Sequence, residues 1–109
     1  MAQRYKVLGQ AAPAATTNVN VYTVPAATEA VVSTIVIANR ASTDATFRLA
    51  VRPAGATIAN EHYIAYDVRL LANDSTTLTL GVTLAATDII TFYASSANTS
   101  VSVFGTEIF

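Results

Sequence analysis

Apolar and polar residues alternate along most of this chain with the period of two that is typical of β-strands. The clearest case is the stretch from Thr46 to Arg52, where Phe47, Leu49 and Val51 share one face. Threonine, valine and isoleucine are dense, as strands favour. No stretch has the spacing of a helix of useful length. The pattern therefore predicts an all-β protein.

Turn-forming residues divide the alternating stretches into about eight short strands. The predicted strands are Tyr5 to Leu8, Val19 to Val24, Ala30 to Asn39, Thr46 to Arg52, His62 to Leu70, Thr77 to Leu84, Ile89 to Ala94 and Val101 to Phe109. The Ala/Thr-rich segment from Gln10 to Thr17 is predicted to be a loop. Short strands at this spacing predict a single antiparallel β-sandwich, jelly-roll-like, over residues 1–109.

The inward faces of these strands define a predicted core. Ala30 to Asn39 is apolar on both faces, which is typical of a strand in the middle of a sheet or at an interface. In Thr77 to Leu84, Gly81 is a candidate bulge or bend. The predicted core residues are Val7, Val21, Val32, Ile35, Ile37, Phe47, Leu49, Val51, Ile64, Val68, Leu78, Leu80, Ile90, Phe92 and Val103.

The chain carries little charge. Charged residues make up 12% of the sequence, about half the usual share of roughly 25%. A small soluble monomer normally has a denser charged surface. The sequence therefore predicts that partners cover part of the surface, most simply in a homo-oligomer such as a trimer, or by tight binding to another protein. The alternative is a mild, neutral surface rich in alanine and threonine.

The same numbers argue against several classes of function. The net charge is −1, so there is no basic excess to bind nucleic acid or an anionic membrane. No apolar run approaches the roughly 20 residues that span a bilayer. The absence of cysteine excludes disulfides and thiol chemistry. The first residues lack the apolar stretch of a signal peptide, so export by that route is not expected.

Catalytic constellations are missing from the sequence. His62 is the only histidine, so no histidine-rich metal site is expected, and the four glycines are too scattered for a phosphate loop. Glu61 and Asp67 stand six residues apart, which is roughly 20 Å along a strand and too far for paired-carboxylate hydrolysis. The sequence predicts no enzyme, no cofactor and no catalytic or metal-binding residue.

Charge is concentrated between Thr46 and Arg69. In the first predicted strand of this stretch the arginines alternate with the core residues, and in the second the charges lie opposite Ile64, Tyr66 and Val68. Two neighbouring strands would then present a shared outer face, whose charged residues are Arg48, Arg52, Asp67 and Arg69. This face is either solvated or a protein interface, and we take the interface as the hypothesis.

Arg52 gives that hypothesis a test. It stands just before the rigid turn Pro53–Gly55 and is expected to be exposed. The variant Arg52→Glu is therefore expected to change the free energy of unfolding by less than about 0.5 kcal/mol. It is nevertheless expected to weaken assembly.

Three long runs of the sequence resemble a family of small tailed-phage virion proteins, well represented among cyanophages. They are YTVPAATEAVVSTIVIANR, TFRLAVRPAGATIANEHYIAYD and LTLGVTLAATDIITFYAS, within a resemblance from about Tyr5 to Phe104. The resemblance implies a non-enzymatic accessory protein of the virion, either a capsid decoration or cement protein or a neck or tail accessory. Its implied partners are copies of itself and a larger virion protein, with assembly in the cytoplasm of the host bacterium.

A carbohydrate-binding β-sandwich module that assists host attachment is the alternative function. Such a site needs an aromatic platform beside carboxylate or amide groups. The nearest candidate in the sequence is Tyr63 with Glu61 and Asn60.

Overall fold

The computed structural model describes all 109 residues and contains nine strands in two antiparallel sheets. The strands are β1 (Gln3–Ala11), β2 (Val19–Thr23), β3 (Glu29–Asn39), β4 (Ala45–Arg52), β5 (Tyr63–Leu70), β6 (Ser75–Leu78), β7 (Val82–Leu84), β8 (Ile89–Ala94) and β9 (Thr99–Ile108). Two single-turn 3-10 helices, Pro53–Gly55 and Asn60–His62, connect β4 to β5. None of the helical segments is long and apolar enough to cross a bilayer.

The strand order is that of a jelly roll. Sheet A has the order β1-β9-β3-β6, with β7 also paired to β3, and sheet B has the order β2-β8-β4-β5. The pairs β1 with β9, β2 with β8, β3 with β6 and β7, and β4 with β5 are all antiparallel. The two halves of the chain thus run beside each other as one long hairpin, rolled into two layers. The predicted antiparallel sandwich is confirmed.

The core lies between the two sheets and follows the predicted alternation. Phe47 of β4 and Phe92 of β8 stack at its centre, with ring centroids 6.2 Å apart. Eight predicted core residues are fully buried, and Val21, Val51 and Leu78 pack against them while partly buried. The eight are Val32, Ile35, Ile37, Phe47, Leu49, Ile90, Phe92 and Val103.

Four predicted core residues, Val7, Ile64, Val68 and Leu80, are exposed, and the prediction was wrong for each. Leu80 shows the usual reason, which is a β-bulge. Leu78 pairs with Ile35 and Val82 pairs with Val32, so the outer strand holds one residue more than its partner. Gly81 takes the left-handed backbone conformation there, with φ of 63°. The single strand predicted from Thr77 to Leu84 is therefore split into β6 and β7, and Leu80 turns to solvent.

A second bulge changes the faces of β5. Val68 pairs with Phe47 and Ala65 pairs with Leu49, so β5 also carries an extra residue. Asp67 sits in the bulge with a positive φ of 49°, a conformation that aspartate tolerates better than most residues. The bulge places Ala65 opposite Leu49, so Ala65 packs on the core. A further register shift between Leu49 and Ala50 leaves Ile64 without a partner, and its side chain is exposed. Val68 lies opposite Phe47 on the core side and is exposed because β5 is the edge strand of sheet B.

The first strand is longer than predicted. β1 includes Gln10 and Ala11, which were assigned to a loop, because their backbone pairs with β9. A register shift between Val7 and Gly9 makes Leu8 the buried residue. Val7 lies opposite Phe104 on the outer side of the sheet, which is why it is exposed.

Candidate functional site

The outer face of sheet B carries an ordered stack of tyrosine and arginine side chains. The guanidinium carbon of Arg48 lies 4.3 Å from the ring centroid of Tyr66 and 4.4 Å from that of Tyr93. Arg48 Nε also donates to Asp67 Oδ1 at 2.7 Å, and a second guanidinium nitrogen lies 3.4 Å from Oδ2. We call Tyr66, Arg48, Tyr93 and Asp67 the Tyr–Arg ladder.

Three strands position the ladder. Arg48 lies in the middle of β4 and is paired across the sheet with Tyr93 of β8. The β5 bulge brings Tyr66 and Asp67 to its other side. The hydrogen bond that Arg48 donates to Asp67 raises the pKa of Arg48 above its ordinary value, so the guanidinium stays charged. Tyr66 is 55% exposed, while the arginine it covers is held from three directions. Such a group loses little freedom when a partner binds.

Arg69 lies on the same outer face but belongs to a separate ion pair. Its Nε donates to Asp44 Oδ2 at 3.0 Å, and Asp44 Oδ1 accepts the backbone N–H of Ala72 at 3.0 Å. These hydrogen bonds, that of Arg69 first, hold the pKa of Asp44 below its usual range. Arg69 thus fastens the end of β5 to the segment before β4, and it does not join the ladder.

Arg52 lies across sheet B and is held within the chain. Its Nε donates to the carbonyl oxygen of Ala56 at 2.7 Å, and another guanidinium nitrogen donates to Asn20 Oδ1 at 3.0 Å. Longer contacts reach the carbonyl oxygen of Gly55 and the hydroxyl of Thr91. Arg52 therefore joins the turn after β4 to β8 and β2. The expectation that it is a free, exposed charge was wrong.

We now expect Arg52→Glu to lower the free energy of unfolding by about 2 kcal/mol, since several net-favourable hydrogen bonds are lost and a carboxylate replaces their donor. Urea denaturation measures this. Arg40→Glu is the matched control, because Arg40 makes one long contact of 3.4 Å to the carbonyl oxygen of Ala97. Equal effects of the two variants would contradict a structural role for Arg52.

A hollow of about 380 Å³ opens beside the ladder, lined by Asn60, Tyr63 and Tyr66. The two tyrosine rings meet edge to face, with centroids 4.9 Å apart. Of the three residues named from the sequence for a sugar site, Asn60 and Tyr63 line this hollow and Glu61 does not. His62 closes the turn beside it, because its Nδ1 accepts the N–H of Ala59 at 3.0 Å.

The outer face of sheet A is nearly free of charge. The register of its strands directs one set of side chains away from the core, and Glu29, at the end of β3, is the only charged member. We call this set the neutral face. Its members are Gln3, Tyr5, Val7, Gln10, Glu29, Val31, Thr34, Val36, Ala38, Ser75, Thr77, Thr83, Ser100, Ser102, Phe104, Thr106 and Ile108.

A buried carboxylate joins the two sheets. Glu107 of β9 is 5% exposed, and its Oε2 accepts the hydroxyl of Tyr22 from sheet B at 2.6 Å. Lys6 Nζ lies 3.3 Å from Oε1. The Tyr22 hydrogen bond and Lys6 keep the pKa of Glu107 below its usual value, although burial opposes this. Burial and the nearby carboxylate in turn raise the pKa of Tyr22.

The structure shows no group of three or more histidine, cysteine, aspartate or glutamate side chains that could hold a metal ion. No protein-family model, no curated protein and no solved structure matches the chain. The assignment of a function therefore depends on the fold and on the surfaces described above.

Two features escaped the sequence analysis. Tyr66 was placed on the face opposite the charges, together with Ile64 and Val68, because the bulge at Asp67 leaves no clear signal in the alternation. Tyr93 was not connected to Arg48, since strand pairing is not visible in one sequence. The buried Glu107 had a signal that went unused: Val101, Val103 and Glu107 alternate along β9, which places the carboxylate on the core side.

Proposed function

We propose that this protein is a non-enzymatic accessory protein of a bacteriophage virion, which binds a larger particle protein and copies of itself. The observation that carries the proposal is the Tyr–Arg ladder. Tyrosine and arginine are the residues most enriched among those that dominate binding energy at protein interfaces. Here they are already fixed in position on an outer sheet face, with Tyr66 accessible to a partner.

The fold and the sequence support the same proposal. Jelly rolls form viral capsid domains, and this chain has the jelly-roll strand order in nine strands. That support is an analogy at the level of fold, and a fold alone does not define a function. The proposal therefore depends on the surface residues as well. Two of the three sequence runs that resemble tailed-phage virion proteins contain the ladder residues: residues 46–67 include Arg48, Tyr66 and Asp67, and residues 78–95 include Tyr93. The low charge of the chain fits a protein that works inside an assembly.

A test of the proposal is incorporation of Arg48→Ala into virions, measured by co-sedimentation with particles. We expect the apparent affinity for the particle to fall by about tenfold or more, since a central arginine anchor and its aromatic stack are lost. The melting temperature should change little, because the ion pair it loses is exposed.

Arg4→Ala is the matched control for this experiment. Arg4 also lies over an aromatic ring, 5.1 Å from the centroid of Phe109, but it is on sheet A. A result in which Arg48→Ala is incorporated like the parent would contradict the proposed role of the ladder. The copy number per virion then separates the two placements: on the order of hundreds for capsid decoration or cement, and about a dozen or fewer for the neck or tail.

The carbohydrate-binding alternative is favoured by one observation, the hollow lined by Asn60, Tyr63 and Tyr66. Lectin domains also use jelly rolls. The side chain of Asn60 makes no hydrogen bond within the chain, so its amide is available to a sugar hydroxyl. A glycan array separates the alternatives: specific binding that Tyr63→Ala abolishes would favour the module, and a blank array would favour the assembly protein.

A further inference from the structure

The neutral face differs from the rest of the surface because it lacks charge. The other charged side chains lie on sheet B, in the connections between strands, or on the core side of sheet A, where Arg4, Lys6 and Glu107 are found. The single charge of the neutral face, Glu29, is opposite Ile108 at the end of the sheet. The centre of the face therefore holds only apolar, hydroxyl and amide side chains.

Apolar side chains are prominent near the centre of the neutral face. Val7 of β1 pairs with Phe104 of β9, and Tyr5 and Val31 flank Thr106 in the adjacent row. β3 is an inner strand of sheet A, yet its outward residues have no layer of protein over them. A sheet face that is solvated usually alternates apolar-in with polar-out. The apolar outward residues of β3 are the pattern of a strand buried on both sides.

We propose that the neutral face binds the same face of a second copy of this chain, giving a two-fold homodimer. A charge placed opposite this face would lose its water without gaining a counter-charge, so the surface that covers it must be uncharged. A second neutral face meets that requirement. In a two-fold contact the same patch is used by both subunits, and no like charges meet at the centre.

The shape of the face fits such a contact. Tyr5 is 80% exposed and lies at a hollow of about 330 Å³, which it lines together with Lys6, Ser33, Phe104, Gly105 and Thr106. The ammonium group of Lys6 lies 3.3 Å from Glu107, so it already has a counter-charge. In the two-fold dimer the Tyr5 ring of each copy fills the hollow of the other. Glu29 stays at the rim, where water still reaches it. The Tyr–Arg ladder, on the opposite side of the sandwich, remains free for a different protein.

This inference rests on the part of the proposed function in which copies of the chain bind one another. It is tested by sedimentation equilibrium of the full chain from micromolar to millimolar concentration. We expect the mass of a dimer, and a dissociation constant that rises by about 100-fold or more in Val7→Lys, because each copy then buries an unpaired charge.

Ile64→Lys is the matched control. Val7 and Ile64 are both 46% exposed, and both lie on edge strands, but Ile64 is in sheet B. The control should dimerise like the parent. At concentrations low enough for all three proteins to be monomers, both variants should have the melting temperature of the parent. A parent that stays monomeric, a trimer, or equal effects of the two lysines would overturn the proposal.

Cross-linking gives a second readout, because the chain has no cysteine of its own. Thr106→Cys, at the centre of the neutral face, should form a disulfide-linked dimer on oxidation. Thr46→Cys, equally half-buried on sheet B, should not, and the opposite result would overturn the proposal. Arg48→Ala separates this inference from the proposed role of the ladder. The variant should lose particle binding and still form the dimer, so each proposal can be contradicted independently of the other.

Discussion

Replacement of Glu107 by alanine is expected to lower the free energy of unfolding by about 3 kcal/mol. The carboxylate of Glu107 accepts hydrogen bonds from Tyr22 of sheet B and from Lys6 of sheet A, and so connects the two sheets. Its removal leaves the Tyr22 hydroxyl buried without an acceptor and removes the counter-charge of Lys6. Urea denaturation of the variant and the parent measures the loss.

Glu29→Ala is the control for that experiment. Glu29 lies in the same sheet, is exposed and makes no ion pair, so its loss should be nearly neutral. Glu107→Gln should fall between the two, because the amide oxygen still accepts from Tyr22. If Glu107→Ala unfolds at the same urea concentration as Glu29→Ala, the buried hydrogen bonds do not contribute to stability.

The same carboxylate makes stability depend on pH. The pKa of Glu107 in the folded chain lies below its ordinary value of 4.5, chiefly because of the Tyr22 hydrogen bond. The stabilisation is therefore complete above about pH 4.5 and is lost as the pH falls through the lower, folded pKa. Asp44, whose pKa is also lowered, contributes in the same direction. Acidification should therefore lower the free energy of unfolding less in Glu107→Gln than in the parent, and the difference from the parent should be larger than for Asp44→Asn. If Glu107→Gln loses as much stability in acid as the parent does, this explanation is contradicted.

The alternation of apolar and polar residues was enough to predict the sandwich. Eight of the predicted core residues lie on strand faces that the opposite sheet covers. The prediction failed where a strand carries an extra residue. At Leu80 and around Asp67 the bulge shifts the pairing by one, and one shift turns a side chain to the opposite face. Gly81 marked the first bulge in the sequence. Asp67 did not mark the second, since an aspartate in a strand has many ordinary explanations.

The candidate site was predicted in part for the same reason. Arg48 and Asp67 were placed on one outer face, and the structure brings them into contact at 2.7 Å. The aromatic half of the ladder was missed, because Tyr66 and Tyr93 come from strands on the two sides of β4. Arg52 was expected to be exposed, because two of its hydrogen-bond partners, Asn20 and Thr91, are remote in sequence. Its bonds to the carbonyl oxygens of Gly55 and Ala56 depend on how the turn after β4 folds. Partners that only strand order brings together are not visible in the spacing of residues.

The outer faces of the two sheets differ in chemistry, which suggests that each binds a different partner. This difference was not visible in the sequence alone. Low charge was interpreted for the whole chain, but the structure leaves Glu29 as the only charge on the outer face of sheet A. The outer face of sheet B carries the four charged residues Arg48, Arg52, Asp67 and Arg69. One face then favours a specific, oriented contact through arginine and tyrosine. The other favours burial of apolar area. The two-sided arrangement suits a protein that pairs with itself and still attaches to something larger.

Gly9→Ala is expected to lower the free energy of unfolding by about 3 kcal/mol, because the new methyl group meets backbone rather than a movable side chain. At Gly9, β1 crosses β2 at the closed side of the sandwich. A Cβ atom there would clash with the carbonyl oxygen of Val21 and would stand 3.0 Å from its carbonyl carbon. β1 must then move away from β2, which opens the contact between the two sheets. Thermal and urea denaturation measure the loss.

Two comparisons isolate that cause. Gly81→Ala has open space around the new methyl group, so it should show only the cost of its positive φ, about 1 kcal/mol. Val21→Ala removes the side-chain methyl that lies 3.2 Å from the added Cβ, but it leaves the carbonyl oxygen in place. The double variant Gly9→Ala with Val21→Ala should therefore be no more stable than Gly9→Ala alone. Rescue by Val21→Ala would show that the side chain, not the backbone of β2, limits how closely the two strands can approach.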